Sequence, residues 1–135
     1  MSYPRSWFDR GVVIAIGLGT AAAGAWVLVS PPRSYEALGL ALTAAWGVLL
    51  LLGGVFVAAG WAIRSYKIEL PGIVPALGGL AIYSFLSWQQ TFGDSLGSGP
   101  RALLITAGAL VALYRLKQLI RASRAARWVA EVEKE

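Results

Sequence analysis

The side chains that perform most enzymatic chemistry are missing from this sequence. It contains no cysteine and no histidine, which removes disulfides, thiolate or imidazole metal sites and every catalytic pair of nucleophile and histidine. Hydroxyl groups do lie in the long apolar stretches, at Thr20, Thr43, Tyr83, Ser84, Ser87 and Thr106. No base stands beside them in any motif, so we expect them to hydrogen-bond a neighbouring helix or a backbone carbonyl. The sequence predicts no catalytic residue, no metal or cofactor site and no enzymatic activity.

The distribution of charge indicates a membrane protein. Apolar residues make up 57% of the 135 residues and charged residues 14%, whereas soluble domains average about 45–50% and about 25%. A soluble chain of this length has too little interior to bury so much hydrocarbon. The seven acids and twelve bases lie at the two ends and in short gaps between long uncharged stretches. The sequence therefore predicts one integral membrane domain over residues 1–135.

Four stretches are long enough to cross a bilayer, whose core of about 30 Å takes about 20 helical residues. We predict spans over about residues 11–30, 37–63, 70–92 and 102–120. The fourth span ends near Tyr114, or near Ile120 if Arg115 and Lys117 extend to the headgroups. Pro71 is expected in the first turn of the third helix. The predicted fold is an all-α, four-helix (4-TM) membrane protein.

The basic residues predict the orientation. With four spans, the N-terminal tail, the 64–69 joint and the C-terminal tail share one side, and they carry ten of the twelve bases. Because basic loops are retained in the cytoplasm, both termini are predicted to be cytoplasmic. Residues 23–25 (Ala-Gly-Ala) resemble a signal-peptide cleavage site. The apolar run continues to Val29, however, which favours an uncleaved span.

The predicted spans contain no Asp, Glu, Lys, Arg or His before Arg115, and Glu69 falls in the joint that precedes the third span. Proton relays and ion-coupled transporters place ionisable groups in their membrane segments. A small four-span multidrug exporter would be expected to carry a carboxylate there. The sequence therefore disfavours ion-coupled transport.

Small residues recur at helical spacing along the first two spans. They form candidate helix-packing strips at Gly11, Ala15, Gly19 and Ala23, at Gly39, Thr43 and Gly47, and at Gly54 and Ala58. Such strips let helix backbones approach closely in lipid. Either they pack the four helices of one chain together, which is the simpler interpretation, or the strip on the first helix mediates self-association. Trp46, deep in the second span, is expected to pack against a neighbouring helix.

The C-terminal tail, residues 121–135, is predicted to continue the fourth helix into the cytoplasm. Its basic stripe and terminal tryptophan suit an anionic membrane surface, at about 1 kcal/mol per base. The candidate membrane-surface residues are Arg115, Lys117, Arg121, Arg124, Arg127 and Trp128. A solvated helix that only enforces topology is the alternative. Nucleic-acid binding is disfavoured, because the tail is tethered at the bilayer and carries acids after Val129.

One stretch carries a family resemblance. Residues 61–72 (Trp-Ala-Ile-Arg-Ser-Tyr-Lys-Ile-Glu-Leu-Pro-Gly) are followed by residues 78–83 (Gly-Gly-Leu-Ala-Ile-Tyr), Trp88 and a basic fourth helix. The pattern resembles the small four-span membrane proteins in the lysis regions of phages that infect actinobacteria, which are often regarded as holins or holin-like. The resemblance implies no catalytic residue. It implies accumulation in the inner membrane of the bacterial host, assembly as a homo-oligomer, and permeabilisation that assists an endolysin.

The leading functional expectation is accordingly a holin-like phage protein that permeabilises the host membrane during lysis. The runner-up is a small membrane accessory or scaffold protein, in phage exclusion or envelope upkeep, that binds its partner through the same glycine strips. A passive or substrate-specific transporter subunit is a third class. The sequence names no ligand, trigger or oligomeric number.

Overall fold

The structure, a computed structural model, describes residues 6–30, 39–93 and 96–134. Nearly all of these residues belong to four helices: α1 (Trp7–Val29), α2 (Leu40–Ala62), α3 (Tyr66–Gly93) and α4 (Gly99–Val132), with a short 3-10 turn at Leu96–Ser98. Each is long and apolar enough to cross a membrane. Helices satisfy their own backbone hydrogen bonds, as a segment in lipid must. The predicted all-α, four-helix membrane fold is confirmed.

The helices pack in chain order, α1 on α2, α2 on α3 and α3 on α4. Each pair runs antiparallel, because residues early in one helix touch residues late in its neighbour. Glu69 near the start of α3, for example, contacts both Gly60 near the end of α2 and Arg115 well along α4. Arg10, at the start of α1, lies at the same end. We call this the basic end of the bundle.

Small residues bring α1 and α2 into backbone contact. A Cβ added to Gly17 would lie 2.9 Å from the amide nitrogen of Ala58 and 2.9 Å from the carbonyl oxygen of Gly54. Ala21 and Gly24 continue this buried face of α1. The close approach replaces side-chain interdigitation with backbone packing, which is a main source of helix association in lipid.

The centre of the bundle holds one tryptophan and its aliphatic neighbours. Trp46 of α2 is 1% exposed, and its ring centroid lies 4.4 Å from that of Tyr83 on α3. Val27, Leu50 and Leu86 complete this cluster. The prediction that Trp46 packs against a neighbouring helix is confirmed.

Helix α3 begins earlier than the uncharged stretch that predicted it. It starts at Tyr66, so Pro71 lies beyond the first turn and the expected placement of that proline is wrong. The helix tolerates Pro71 and Pro75 in its interior, although each proline removes one backbone hydrogen bond. The early start also places Glu69 inside the helix.

Helix α4 is continuous for 34 residues, from Gly99 to Val132. It passes the predicted end of the fourth span without a break, so the prediction that the tail continues this helix is confirmed. Within α4, which is described along its whole length, only Ala102 and Leu119 are buried. The helix therefore presents most of its surface outside the bundle.

Candidate functional site

The most tightly organised polar site surrounds the carboxylate of Glu69. The residue is fully buried, and its side chain is 1% exposed. Its Oε1 atom accepts hydrogen bonds from Trp61 Nε1 at 2.9 Å and from Arg115 Nε at 2.7 Å, and its Oε2 atom accepts one from Arg115 Nη2 at 2.9 Å. The Arg115 guanidinium thus binds the carboxylate through two parallel bonds, the geometry that gives the strongest ion pairs.

Three helices position this ion pair. Gly60 lets the last turn of α2 approach α3, since a Cβ there would lie 2.8 Å from both the Cβ and the amide nitrogen of Glu69. The side chain of Arg115 reaches in from α4 and is 20% exposed. Its Cζ atom lies 5.2 Å from the Trp61 ring centroid, within range of a cation–π interaction. Its Nη1 atom donates to Gln118 Oε1 at 3.3 Å.

Arg10 joins the remaining helix, α1, to the same end of the bundle. Its Nε atom donates to the Trp61 carbonyl oxygen at 3.2 Å, and its Nη2 atom donates to the carbonyl oxygen of Ala62. Carbonyl groups in the last turn of a helix lack intrahelical partners and carry partial negative charge. The Arg10 guanidinium supplies both hydrogen-bond donors and positive charge to these carbonyl groups, so Arg10 caps α2. Arg115 neutralises Glu69. We call Arg10, Trp61, Glu69 and Arg115 the polar clasp.

A second polar contact joins α3 to α4 nearer the opposite end. Thr106 donates to its own helix at the carbonyl oxygen of Ala102, 2.8 Å away, and its Oγ1 atom accepts from Trp88 Nε1 at 2.9 Å. The Ser84 hydroxyl lies 2.7 Å from the same atom. Because the single Thr106 proton is used on the carbonyl, Ser84 is the donor of that bond.

The hydroxyl groups behave as the sequence predicted where the structure gives their bonds. Thr20 donates to the carbonyl oxygen of Ile16 at 2.8 Å and Thr43 to that of Gly39 at 3.4 Å. Ser84 and Thr106 bond between helices. Ser87 differs, because its buried hydroxyl has no hydrogen-bond partner among the described residues. These contacts tie the hydroxyl groups to backbone carbonyls or to a neighbouring helix.

An open groove leads away from the polar clasp. Helices α1 and α4 make few contacts with each other, and the space between them, floored by α2 and α3, has a volume of about 430 Å³. Its walls are almost entirely apolar, with Glu69, Trp61 and Arg115 at one end. Representative wall residues are Val13 and Ile16 of α1, Gly54 of α2, Ile73 of α3, and Gly108 and Val111 of α4.

The predicted small-residue strips divide into an exposed and a packed set. Gly11, Ala15, Gly19 and Ala23 lie on an exposed face of α1, and an added Cβ at Gly11 or Gly19 would meet no atom within 4 Å. Gly39 is also exposed. By contrast, Thr43, Gly47, Gly54 and Ala58 are buried on α2. The chain packs α1 on α2 through Gly17, Ala21 and Gly24, and the regular strip on α1 faces outward.

The predicted membrane-surface residues also divide. Lys117, Arg121, Arg124, Arg127 and Trp128 are exposed on α4, with Trp128 at 68%. Arg115 instead turns inward to Glu69. The structure therefore separates a solvent-facing basic tail from one internal arginine of the same helix.

Sequence reasoning missed the polar clasp because it treated Glu69 as a boundary between spans. The statement that the spans hold no carboxylate is wrong for α3 as the structure bounds it. One signal was available: a single acid near the start of the third span and a single arginine within the fourth can meet in an antiparallel bundle. The pair neutralises its own charge, which lowers the cost of placing both groups inside the helices.

Comparison with known proteins adds no family to this description. The chain matches no protein-family model, no curated protein and no solved structure. Among residues 6–30, 39–93 and 96–134, no group of acidic side chains is arranged to hold a metal ion. The described side chains present a charged cluster, an apolar groove beside it and an exposed small-residue face on α1.

Proposed function

We propose that the protein is a holin-like membrane protein that self-associates in the inner membrane of a bacterial host and permeabilises it, so that an endolysin reaches the cell wall. Both termini lie in the cytoplasm in this proposal. The observation that carries it is the incomplete bundle. Helix α4 buries only Ala102 and Leu119, and the strip at Gly11, Ala15, Gly19 and Ala23 faces away from the chain's own helices.

The exposed strip on α1 supports self-association on physical grounds. Helices in lipid gain little from burying apolar side chains, since lipid tails are equally apolar, and they associate where small residues allow close backbone packing. The α1–α2 contact within the chain already uses this device at Gly17. A second small-residue face on α1 offers the same contact to another copy. Association then grows with the concentration of the protein in the membrane.

The basic tail supports the orientation and the choice of membrane. Its exposed bases on α4 suit the anionic cytoplasmic leaflet, where each base contributes about 1 kcal/mol. The resemblance of residues 61–72 and 78–83 to actinobacteriophage lysis proteins supports the link to an endolysin.

The test is timed expression in an actinobacterial host with a potential-sensitive dye. We expect growth to stop and the membrane potential to collapse, and we expect lysis when a cytoplasmic endolysin is produced as well. An unrelated four-span protein made to the same level is the baseline. If the potential holds and growth continues, permeabilisation is excluded.

A matched pair of variants separates assembly from general damage. Ala23→Leu places an isobutyl group on the exposed strip, whereas Ala22→Leu places the same group on a neighbouring exposed position. We expect Ala23→Leu to delay the collapse of potential and Ala22→Leu to behave as the parent protein. Equal behaviour at equal expression would remove the strip from the proposal.

One observation favours a second candidate, a membrane accessory protein in phage exclusion or envelope upkeep. The polar clasp joins all four helices around a buried charge, and the groove beside it is already formed. A preformed site of this kind suits a protein that binds a partner or ligand in a stable fold. The dye experiment distinguishes the two, because an accessory protein leaves the membrane potential intact.

A further inference from the structure

We infer that the groove between α1 and α4 is a binding site for one phospholipid with an anionic headgroup. One hydrocarbon chain lies along the groove, and the phosphate lies at the polar clasp. This inference concerns the groove alone and does not rest on permeabilisation.

The length of the groove matches half of a bilayer. It extends from Glu69 to Leu80 along α3 and from Arg115 to Gly108 along α4. At 1.5 Å per residue these distances are about 16 Å and about 10 Å. A bilayer core is about 30 Å thick, so one leaflet contributes about 15 Å. The α3 wall therefore spans one leaflet on the side of the clasp, and the α4 wall covers about two thirds of it.

The volume of the groove also selects a lipid chain over a helix. A transmembrane helix from a second copy is about 10 Å wide and crosses the whole core. The groove holds about 430 Å³ and ends near Thr20 and Gly108, well short of the far side. An apolar cavity of about 150 Å³ binds one benzene ring, so the groove takes about three times as many carbon atoms, about 17. That is close to the size of one lipid chain.

Charge complementarity selects an anionic headgroup. The clasp contains two guanidinium groups, Arg10 and Arg115, and one carboxylate, Glu69. Its net charge is therefore positive. Both guanidinium groups are held in place, Arg10 by the carbonyl oxygens of residues 61 and 62 and Arg115 by Glu69. Arg115 lines the groove, and Arg10 lies beside it on the carbonyl oxygen of Trp61, another lining residue. A phosphate at the mouth of the groove therefore meets guanidinium groups that are already ordered, and its binding avoids the entropy cost of ordering long side chains.

The experiment uses the purified full chain reconstituted in bilayer discs of dioleoylphosphatidylcholine with or without dioleoylphosphatidylglycerol. Native mass spectrometry after gentle release counts the lipids that stay bound. We expect one phosphatidylglycerol per chain to be retained, and phosphatidylcholine to be retained much less. Equal retention of the two lipids would overturn the charge argument.

Two variants on α4 test whether the retained lipid occupies the groove. Gly108→Leu projects into the groove, where an added Cβ meets no atom within 4 Å, and Ala107→Leu adds the same bulk to a neighbouring exposed position. We expect Gly108→Leu to weaken phosphatidylglycerol retention at least about tenfold, a difference of about 1.4 kcal/mol. We expect Ala107→Leu to leave this retention unchanged. Val111→Phe fills the groove from an exposed position and provides an independent variant should Gly108→Leu lose helicity by circular dichroism.

The headgroup site is tested with a matched pair of arginines. Arg10→Gln removes a base from the clasp, and Arg101→Gln removes an exposed base at the opposite end of the bundle. Since one base near the headgroups is worth about fivefold in affinity, we expect Arg10→Gln to weaken phosphatidylglycerol retention about fivefold and Arg101→Gln to leave it unchanged. Gly108→Leu also provides an outcome that would refute the inference. If this variant loses a dimer but keeps its bound lipid, the groove is the contact site for a second copy of the chain.

Discussion

The polar clasp predicts an asymmetric response to removing either partner of its ion pair. Arg115→Gln leaves the carboxylate of Glu69, whose side chain is 1% exposed, with Trp61 as its remaining donor in the clasp. Breaking a buried pair in this way costs about 3–5 kcal/mol of the free energy of unfolding. Glu69→Gln leaves a guanidinium that is 20% exposed and can extend toward the headgroups. Its cost is the exchange of charged for neutral hydrogen bonds, about 1–2 kcal/mol.

The double variant measures the coupling between the two groups. With both charges gone, no buried charge remains unpaired, so we expect Glu69→Gln/Arg115→Gln to lose about 2–3 kcal/mol, less than the sum of the single variants. The coupling energy is then about 3 kcal/mol, with limits of about 1 and 5 kcal/mol. The assay is reversible unfolding in mixed micelles by increasing the fraction of sodium dodecyl sulfate, followed by far-UV circular dichroism and tryptophan fluorescence.

The control is Arg101→Gln near the start of α4. Arg101 also donates to a side chain of α3, Gln90, but it is exposed, so its loss should cost less than about 0.5 kcal/mol. The reasoning is refuted if Glu69→Gln destabilises the protein as much as Arg115→Gln, or if the double variant equals the sum of the two. Either result would mean that Arg115 does not compensate the charge of Glu69 in the folded protein.

Three further predictions concern packing, topology and the second polar contact. Gly17→Leu should disrupt the folded chain, because a Cβ there would lie 2.9 Å from two backbone atoms of α2, whereas Gly19→Leu should leave micelle unfolding unchanged and reduce only crosslinked oligomers. Because the chain has no native cysteine, Ser65→Cys should be shielded from an impermeant thiol reagent in intact cells and Ser98→Cys should react; external labelling at residue 65 would reverse the proposed orientation. Thr106→Val should lower the free energy of unfolding by about 1–3 kcal/mol in the micelle assay, because it strands the Trp88 and Ser84 donors, and an unchanged value would show that water or lipid headgroups satisfy those donors.

The fold was largely predictable from the sequence because one rule dominates in lipid. A long stretch without charge has to form a helix, since backbone groups find no other partners there. The helix bounds therefore follow the uncharged stretch closely in α2, whereas α1 begins four residues before its uncharged stretch and includes Asp9 and Arg10. The same rule fails at α3, where it counts any charge as a boundary. Glu69 lies inside that helix because Arg115, 46 positions later, supplies the compensating charge.

The role of each small-residue face was not predictable from one helix alone. Helix α1 carries a regular strip that includes Gly11 and Gly19 and a less regular one that includes Gly17 and Gly24. The regular spacing predicts that the first strip packs against a neighbouring helix, but α1 contacts α2 through the second strip. The surface of α2 determines which strip packs, because Gly17 fits against the α2 backbone at Ala58 and Gly54. Complementarity between two surfaces is a tertiary property, so periodicity in one helix does not reveal it.

The position of α4 on the bundle is fixed by its polar contacts, because lipid can replace apolar contacts but not hydrogen bonds. Apolar contacts between α4 and the bundle exchange for apolar contacts with lipid at little cost, so they fix neither its position nor its rotation. Lipid cannot replace the hydrogen bonds of the Glu69 carboxylate or of the Trp88 and Ser84 donors, because hydrocarbon contains no hydrogen-bonding groups. Two polar contacts, at Arg115 and Thr106, therefore set the register of α4 on α3. Any assembly that uses the exposed faces of α1 and α4 can form without breaking either contact.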